Sequence, residues 1–256
     1  MKEAVRANFD ASVDAYETYE RATGRFATLT RRLLGAMADA AGRDLDLVLD
    51  AGAGTGASTA VLADDPSGPT PVALDLSREM LAENRATARV QGDVDAVPFA
   101  ADTFDAVAFT ASLFLVPDPA VAVAEAKRVL RPGGVVGAVA PAGWQTPDGT
   151  DAFRDLDRES RSPVAAATVR EAIAAAFETE TGTGIVTGAW GFETSADELR
   201  RFHAIPAMAA RLYPGDPPAR RIRKAQAALE PLEGRFVHRW EWTVGIQPVG
   251  LSSDPD

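Results

Sequence analysis

Apolar positions follow two different periods along this chain. In the first forty residues they recur every three or four positions, which predicts two amphipathic helices separated by Gly24, the second ending at Gly42. Beyond residue 46 they form short continuous runs, which are typical of strands buried on both faces of a parallel sheet. The helical positions are Val5, Phe9, Val13 and Tyr16, followed by Phe26, Leu29, Leu33 and Met37.

Strand-like runs alternate with helical segments between residues 47 and 141. This alternation predicts a doubly wound α/β sheet of parallel strands that binds ligands above their carboxyl ends. The predicted strands are Leu47–Asp50, Pro71–Asp75, Ala88–Asp93, Asp105–Thr110 and Val135–Pro141. The predicted helices are Ala57–Leu62, Arg78–Ala88 and Pro119–Leu130, the last of which is ended by the sequence RPGG.

The last hundred residues predict further helices and one long strand. The helices are expected at about Val164–Phe177, Ser195–Met208 and Arg220–Leu229, and the strand at Gly234–Pro248. We therefore predict one domain of five parts: an N-terminal helical lid (1–43), a cofactor-binding core (44–142), a substrate cap region (143–234), a terminal strand (235–250) and a disordered tail (251–256).

The stretch LVLDAGAGTGAST is the strongest candidate for a binding site. A strand runs into Gly52, Gly54 and Gly56, and a helix begins directly after them, so bare backbone and free N–H groups face the same ligand. Asp75 ends the next strand, 19 residues beyond Gly56, close to the spacing at which a carboxylate binds ribose hydroxyls. Ser77 supplies the cap of the following helix, which favours the ribose role for Asp75 over a capping role.

Composition and charge exclude several classes of function. The 256 residues carry 26 Lys and Arg against 37 Asp and Glu, a formal net charge of −11, which disfavours nucleic acid as a partner. Cysteine is absent, so disulfides and thiolate metal sites are excluded, and no metal site is predicted. No apolar run is long enough to span a membrane, and the start lacks a signal-peptide core, so we expect a cytoplasmic protein without stable membrane insertion. The shortage of lysine and excess of aspartate fit either a salt-rich (halophilic) cytoplasm or a GC-rich genome.

Five motifs in order resemble those of class I S-adenosylmethionine-dependent methyltransferases. They are LDAGAGTG, VALDLS, QGDVDAVPF, FDAVAFTASLFLVPDP and RVLRPGG. The set is most similar to the small-molecule branch of ubiquinone/menaquinone methyltransferase-like enzymes (methyltransferase type 11), and FDASVDAY resembles the helical opening of that branch. The resemblance implies a seven-stranded, mostly parallel Rossmann-like sheet with N-terminal helices and a helical cap before the last strands. It also implies S-adenosyl-L-methionine as cofactor and a small molecule as methyl acceptor.

The same resemblance implies roles for individual residues around the cofactor. Asp75 would bind the ribose diol, Leu76 would pack on the adenine, and Asp93 and the backbone N–H of Val94 would bind the adenine edge. Tyr16 would close over the methionine part of the cofactor. The residues lining its methionine and ribose parts would be Asp50, Gly52, Ala53, Gly54, Gly56, Thr110 and Ala111.

The acceptor side is less defined by the sequence. Phe114, Trp144 and Trp190 are candidate pocket walls, although a core position is an equal alternative for each. His203 is a weak candidate for a general base, and His238 alternates with aromatic residues on a strand.

The sequence excludes some other functions and leaves two alternatives open. Methylation of base amines or glutamine is rejected because the loop after the fourth strand reads TASL, and a cysteine mechanism on cytosine is excluded because cysteine is absent. A non-catalytic binder of S-adenosylmethionine or S-adenosylhomocysteine and a nicotinamide-dependent dehydrogenase remain as alternatives. The oligomeric state is not predicted.

Overall fold

The structure is a computed structural model that describes residues 2–64, 68–159, 165–179 and 182–249. The predicted tail (251–256) and the predicted helix start at Val164 lie outside the described residues. The strands are β1 (Leu47–Ala51), β2 (Thr70–Asp75), β3 (Ala88–Gln91), β4 (Phe104–Thr110), β5 (Leu130–Gln145), β6 (Glu178–Thr179), β7 (Gly182–Thr183), β8 (Ile185–Ser195) and β9 (Arg235–Ile246).

Within the described residues, seven strands form one sheet in the order β3-β2-β1-β4-β5-β9-β8. The strands β1 to β5 pair in parallel, whereas β9 pairs antiparallel with both β5 and β8. The predicted seven-stranded, mostly parallel sheet is confirmed. Asp50 is in register with Ala73 of β2 and Ala108 of β4, so the carboxyl ends of these strands meet at one edge of the sheet.

Helices cover both faces of this sheet. The first face is covered by α3 and α4 and the second by α6 and α7, while α8 to α10 form the cap between β8 and β9. None of the described helices combines the length and the apolar character needed to cross a membrane. The helices are α1 (Lys2–Asp10), α2 (Val13–Thr23), α3 (Arg25–Ala41), α4 (Ala57–Leu62), α5 (Arg78–Glu83), α6 (Pro119–Val129), α7 (Ala165–Phe177), α8 (Ala196–Phe202), α9 (Pro206–Ala209) and α10 (Pro218–Leu229), with a short 3-10 helix at Leu113–Leu115.

The opposite edge of the sheet is held by a buried carboxylate. Asp105, near the start of β4, accepts hydrogen bonds from the backbone N–H of Leu47 at 2.9 Å and from Arg43 and Arg131 at 3.0 Å each. Burial raises the pKa of Asp105, but these three donors outweigh it and leave the pKa below its ordinary value. This ion cluster therefore stabilises the edge remote from the predicted binding site.

Two of the predicted helices have different bounds in the structure. The first predicted helix is divided into two helices, α1 and α2. The Ser12 hydroxyl donates a hydrogen bond to the Asn8 carbonyl, and the helix breaks at this point. The predicted helix Arg78–Ala88 ends at Glu83, because Asn84 turns its side chain inward to Thr59.

The cap region differs more from the sequence prediction. Ile185–Ser195 is a strand, β8, that was not predicted, because Gly188 and Gly191 resemble breakers in the sequence. The Trp242 ring occupies the space beside Gly188, where an added Cβ would lie 2.5 Å from it. The predicted helix Ser195–Met208 is divided into α8 and α9, since Pro206 begins a new helix and its preceding residue is extended.

Candidate active site

The turn between β1 and α4 is anchored by backbone contacts. The N–H groups of Gly52 and Ala53 both donate to the Leu74 carbonyl, at 2.8 and 3.0 Å. Gly52 has φ +78°, and an added Cβ would lie 2.5 Å from the Ser112 Cβ. Glycine is needed at position 52 because β1 and the end of β4 approach closely there.

Gly54 differs, since none of the residues that the structure describes fills the space beside it. Its φ is +53°, and no heavy atom lies within 4 Å of an added Cβ. Its N–H donates to Asp75 Oδ2 at 2.8 Å, while Asp75 Oδ1 accepts from the N–H of Ser77 at 2.8 Å. Burial raises the pKa of Asp75, and the charge of Asp10 adds to this. The turn therefore presents bare backbone next to a fixed carboxylate.

Asp50 is fully buried at the tip of β1. Its Oδ2 accepts from Ser58 Oγ at 2.7 Å and from Thr59 Oγ1 at 2.6 Å, whereas its Oδ1 has no hydrogen-bond partner among the described residues. Burial raises the pKa of Asp50 to about 6, although the two hydroxyl bonds act in the opposite direction. A buried carboxylate oxygen without a hydrogen bond lowers the stability of the folded protein. We therefore expect this atom to accept a hydrogen bond from a donor on a ligand.

Most of the predicted cofactor residues line one cleft at the carboxyl edge of the sheet. Asp50 lies behind it, and Gly56 packs against Asn84, whose Nδ2 donates to the Gly54 carbonyl at 3.3 Å. Sequence analysis missed Asn84, because an asparagine just after a helix carries no distinctive signal. The predicted residues that line the cleft are Tyr16, Gly52, Ala53, Gly54, Asp75, Leu76, Asp93, Val94, Thr110 and Ala111.

Two of these residues have unusual local geometry. Ala111 has φ +57°, a strained value for a residue with a side chain, at the tip of β4. Asp93 lies two residues beyond the end of β3, where its Oδ1 accepts from the N–H of Asp95 at 3.0 Å. Both therefore lie on turns that the strand tips present to the cleft.

The N-terminal helices cover this cleft with aromatic side chains. Phe9, Tyr16 and Phe26 line it, with ring centroids 6.3 Å apart for the first pair and 5.7 Å for the second. Ser77 Oγ donates to Asp10 Oδ1 at 2.6 Å, which ties α1 to the turn after β2. Burial raises the pKa of Tyr16, and the charge of Asp75 adds to this, so its hydroxyl stays protonated at neutral pH.

The predicted acceptor walls do not line the cleft. Phe114 lies just outside it, beneath the Arg211 guanidinium, which is 5.0 Å from the ring centroid. Trp144 is buried and stacks on His238 with centroids 3.7 Å apart. Trp190 stacks on Trp242 in a separate groove between α3 and the last two strands, so its position does not support a role in this cleft.

His203 is buried in the aromatic core of the cap. It contacts Trp144, Phe153 and Phe202, and its Nδ1 lies 2.9 Å from the Leu199 carbonyl. Burial lowers the pKa of His203 to about 4, with the Arg211 charge adding to this. The residue does not line the cleft, so its position argues against the role of general base.

Comparisons with known proteins agree with this geometry. Residues 49–137 match the family model described as a methyltransferase domain. Residues 49–137 thus carry the sequence of a methyltransferase domain. The match covers the end of β1, the glycine turn, Asp75, Asp93 and β4, and it favours a methyl donor over a nicotinamide cofactor. The predicted relationship to small-molecule methyltransferases is confirmed.

The relatives of this methyltransferase domain are matched over part of their length. The chain is 47% identical to demethylmenaquinone methyltransferase of Mycobacterium marinum over 91 residues, 35% of this chain and 38% of that protein. It is 35% identical to malonyl-[acyl-carrier protein] O-methyltransferase of Enterobacter lignolyticus over 163 residues, 62% of this chain and 61% of that protein. The chain therefore spans less than two thirds of either relative.

A solved structure shares the fold over nearly the whole chain. The YcgJ protein of Bacillus subtilis superposes with a TM-score of 0.54 at 20% identity, covering 86% of this chain and all of that one. At this identity the likeness concerns the fold alone. It shows that the helices and the sheet outside residues 49–137 also follow the fold of that structure.

Proposed function

We propose that this protein transfers a methyl group from S-adenosyl-L-methionine to a small-molecule acceptor. The observation that carries the proposal is the empty space over Gly54, which is bounded by Asp75 and by the tip of β4 within the matched domain. Bare backbone and a fixed carboxylate at adjacent strand tips are the features that bind a nucleoside.

The described residues fit the ribose, the amino group and the adenine of this cofactor. Asp75 would accept from the ribose hydroxyls, and the partnerless Oδ1 of Asp50 would accept from the amino group of the methionine part, directly or through water. Asp93 and Val94 would bind the adenine edge, with Leu76 against the ring face. When bound, the cofactor supplies a methyl group on a sulfonium, whose leaving group is a neutral thioether.

The residues of this chain then have to position the acceptor and exclude water. The aromatic side chains of Phe9, Tyr16 and Phe26 exclude water from above, and the nearby carboxylates favour a bound cation. Because Tyr16 stays protonated, it acts as a hydrogen-bond donor rather than as a base. Residues 1–43 accordingly serve as a lid, and the cap helices shape the acceptor pocket.

The partners follow from the same features. The net charge of −11 and the acidic lining disfavour nucleic acid, which leaves a small molecule in the cytoplasm as the acceptor.

Calorimetry tests the cofactor, and a transfer assay tests the reaction. The protein should bind S-adenosylmethionine and S-adenosylhomocysteine but not NAD, and Asp75→Ala should weaken binding by about 1.5–3 kcal/mol. Methyl transfer from labelled cofactor into pools of small molecules should be measurable. Binding of NAD alone would overturn the proposal, whereas binding of the methyl donor without transfer would indicate a non-catalytic binder.

A further inference from the structure

Arg211 is a half-buried arginine without a carboxylate partner among the described residues. It follows α9, its Nη1 donates to the Phe114 carbonyl at 3.4 Å, and its guanidinium stacks on the Phe114 ring. The more deeply buried Arg25 pairs with Glu198 at 2.6 Å. Arg221 donates twice to the Asp216 carbonyl, at 2.9 and 2.7 Å. Arg211 is thus held in place mainly by an aromatic face.

The position of Arg211 is at the border of the cofactor cleft. The helix α9 packs against α1, whose Val5 and Phe9 line the cleft. Phe114 lies between Ser112 and Leu115, which also line it. The charge of Arg211 also acts on the hydroxyl of Tyr16, a lining residue. The guanidinium therefore borders the space where an acceptor would enter.

The charges around the cleft are separated by sign. In the part of the chain that the structure describes, the lining includes Asp75, Asp93 and Asp95 and contains no lysine or arginine. These acids favour a cationic cofactor but would repel an anionic acceptor. Burying half of a guanidinium without a counter-ion costs desolvation free energy. Its position at this border is therefore consistent with an anion that arrives with the substrate.

We propose that Arg211 binds a carboxylate of the methyl acceptor, which is accordingly a small organic acid with an apolar or aromatic body. The planar guanidinium donates two parallel hydrogen bonds to a carboxylate, a geometry that an amide or an ester cannot match. The rings of Phe114 and Tyr16 beside it would pack on the apolar body. This inference rests on the proposed function and names the substrate class of the same site.

Pairs of acids and amides test the inference on the protein saturated with S-adenosylhomocysteine. The probes are benzoate with benzamide, phenylacetate with phenylacetamide, and hexanoate with hexanamide, each titrated by calorimetry. The wild-type protein should bind at least one acid tenfold or more tightly than its amide. Arg211→Gln should reduce that preference to twofold or less, and Arg211→Lys should retain part of it. Arg220→Gln, at an arginine that is 63% exposed, is the matched control and should keep the full preference.

The outcomes separate this inference from the proposed function. Affinity for S-adenosylhomocysteine should be equal in the wild-type protein and in both Arg211 variants. A loss of this affinity in the variants would place the guanidinium on the carboxylate of the cofactor and overturn its role with the acceptor, whereas a wild-type protein that does not bind S-adenosylhomocysteine would refute the proposed function instead. Equal binding of acids and amides by the wild-type protein, or no binding of any acid, would overturn the role of Arg211. An acid preference that survives in Arg211→Gln would overturn it too, and this comparison does not depend on thermal stability.

Discussion

Replacing Gly54 by alanine separates the space needed by a ligand from the space needed by the protein. No heavy atom lies within 4 Å of a Cβ at this position, so the added methyl group meets only the cleft. Gly42 is a matched control, because it also has a positive φ, +65° against +53°, and an equally empty surrounding. Gly42 ends α3, before β1 begins, and does not line the cleft.

The two substitutions should cost similar stability. A left-handed backbone costs an L-residue roughly 1–2 kcal/mol, which corresponds to about 2–8 °C in Tm for a chain of this size. Only Gly54→Ala places a methyl group where the cofactor would contact the backbone. We therefore expect its affinity for S-adenosylhomocysteine to fall tenfold or more, at least ~1.4 kcal/mol, while Gly42→Ala binds like the wild-type protein.

Calorimetry at one salt concentration measures both affinities, and thermal unfolding with and without ligand provides a second readout. A saturating ligand at 100 times its Kd stabilises a protein by about 2.7 kcal/mol, and at the same ligand concentration this increment should fall to about 1.4 kcal/mol or less in Gly54→Ala. If Gly54→Ala binds within twofold of Gly42→Ala, the cofactor does not lie against this turn, and the reasoning from open space to ligand contact is wrong.

Three further substitutions test the buried titratable side chains. Burial raises the pKa of Asp50 to about 6, so this residue stabilises the folded protein below pH 3.8, and that stabilisation is lost as the pH rises through 6. Asp50→Asn should therefore leave the cofactor-free protein at least as stable as the wild-type protein at pH 7. The same substitution should weaken cofactor binding, which calorimetry measures. Burial lowers the pKa of His203 to about 4, so the stability that this residue contributes above pH 6.5 is lost as the pH falls toward 4. In that window the free energy of unfolding of His203→Gln should therefore change less with pH than that of the wild-type protein. Equal pH slopes in denaturant titrations would contradict this. Asp105→Asn should lower the free energy of unfolding by about 1–3 kcal/mol without changing cofactor affinity, because it lies at the remote edge of the sheet; a loss of affinity would show that the two edges are coupled.

The residues that line the cleft at the carboxyl ends of the strands could be predicted because their signals are local. A strand, three glycines and a helix start specify the turn at Gly52–Gly56, and the same logic places Asp75 one strand further on. The sequence could not distinguish the reasons for the glycines. Gly52 is needed for packing on Ser112, Gly56 closes on Asn84, and Gly54 alone of the three faces open space. These three surroundings differ because of how the ends of β4 and α5 pack against the turn, which the sequence does not show.

The cap could not be predicted in the same way, because its elements are defined by distant contacts. The strand β8 exists because it pairs with β9 along its whole length, and Gly188 fits there because Trp242 fills the space of a side chain. Trp144 and Trp190 were ambiguous between core and pocket for the same reason, since an aromatic residue in a variable segment suits both. Pairing across the sheet decides which face each of them occupies.

The cofactor side and the acceptor side of the proposed site belong to different parts of the fold, and this separation affects specificity. The groups that we propose to face the cofactor lie at strand tips, where the backbone fixes them, so they depend little on the cap. Arg211 and Phe114 are 97 residues apart in sequence and come together only in the folded protein, where α9 also packs against α1. Substitutions in the cap can therefore move or remove the cation at the cleft border while the turn and Asp75 stay in place. In this fold a change of acceptor charge should require changes in the cap and lid alone, with cofactor affinity preserved.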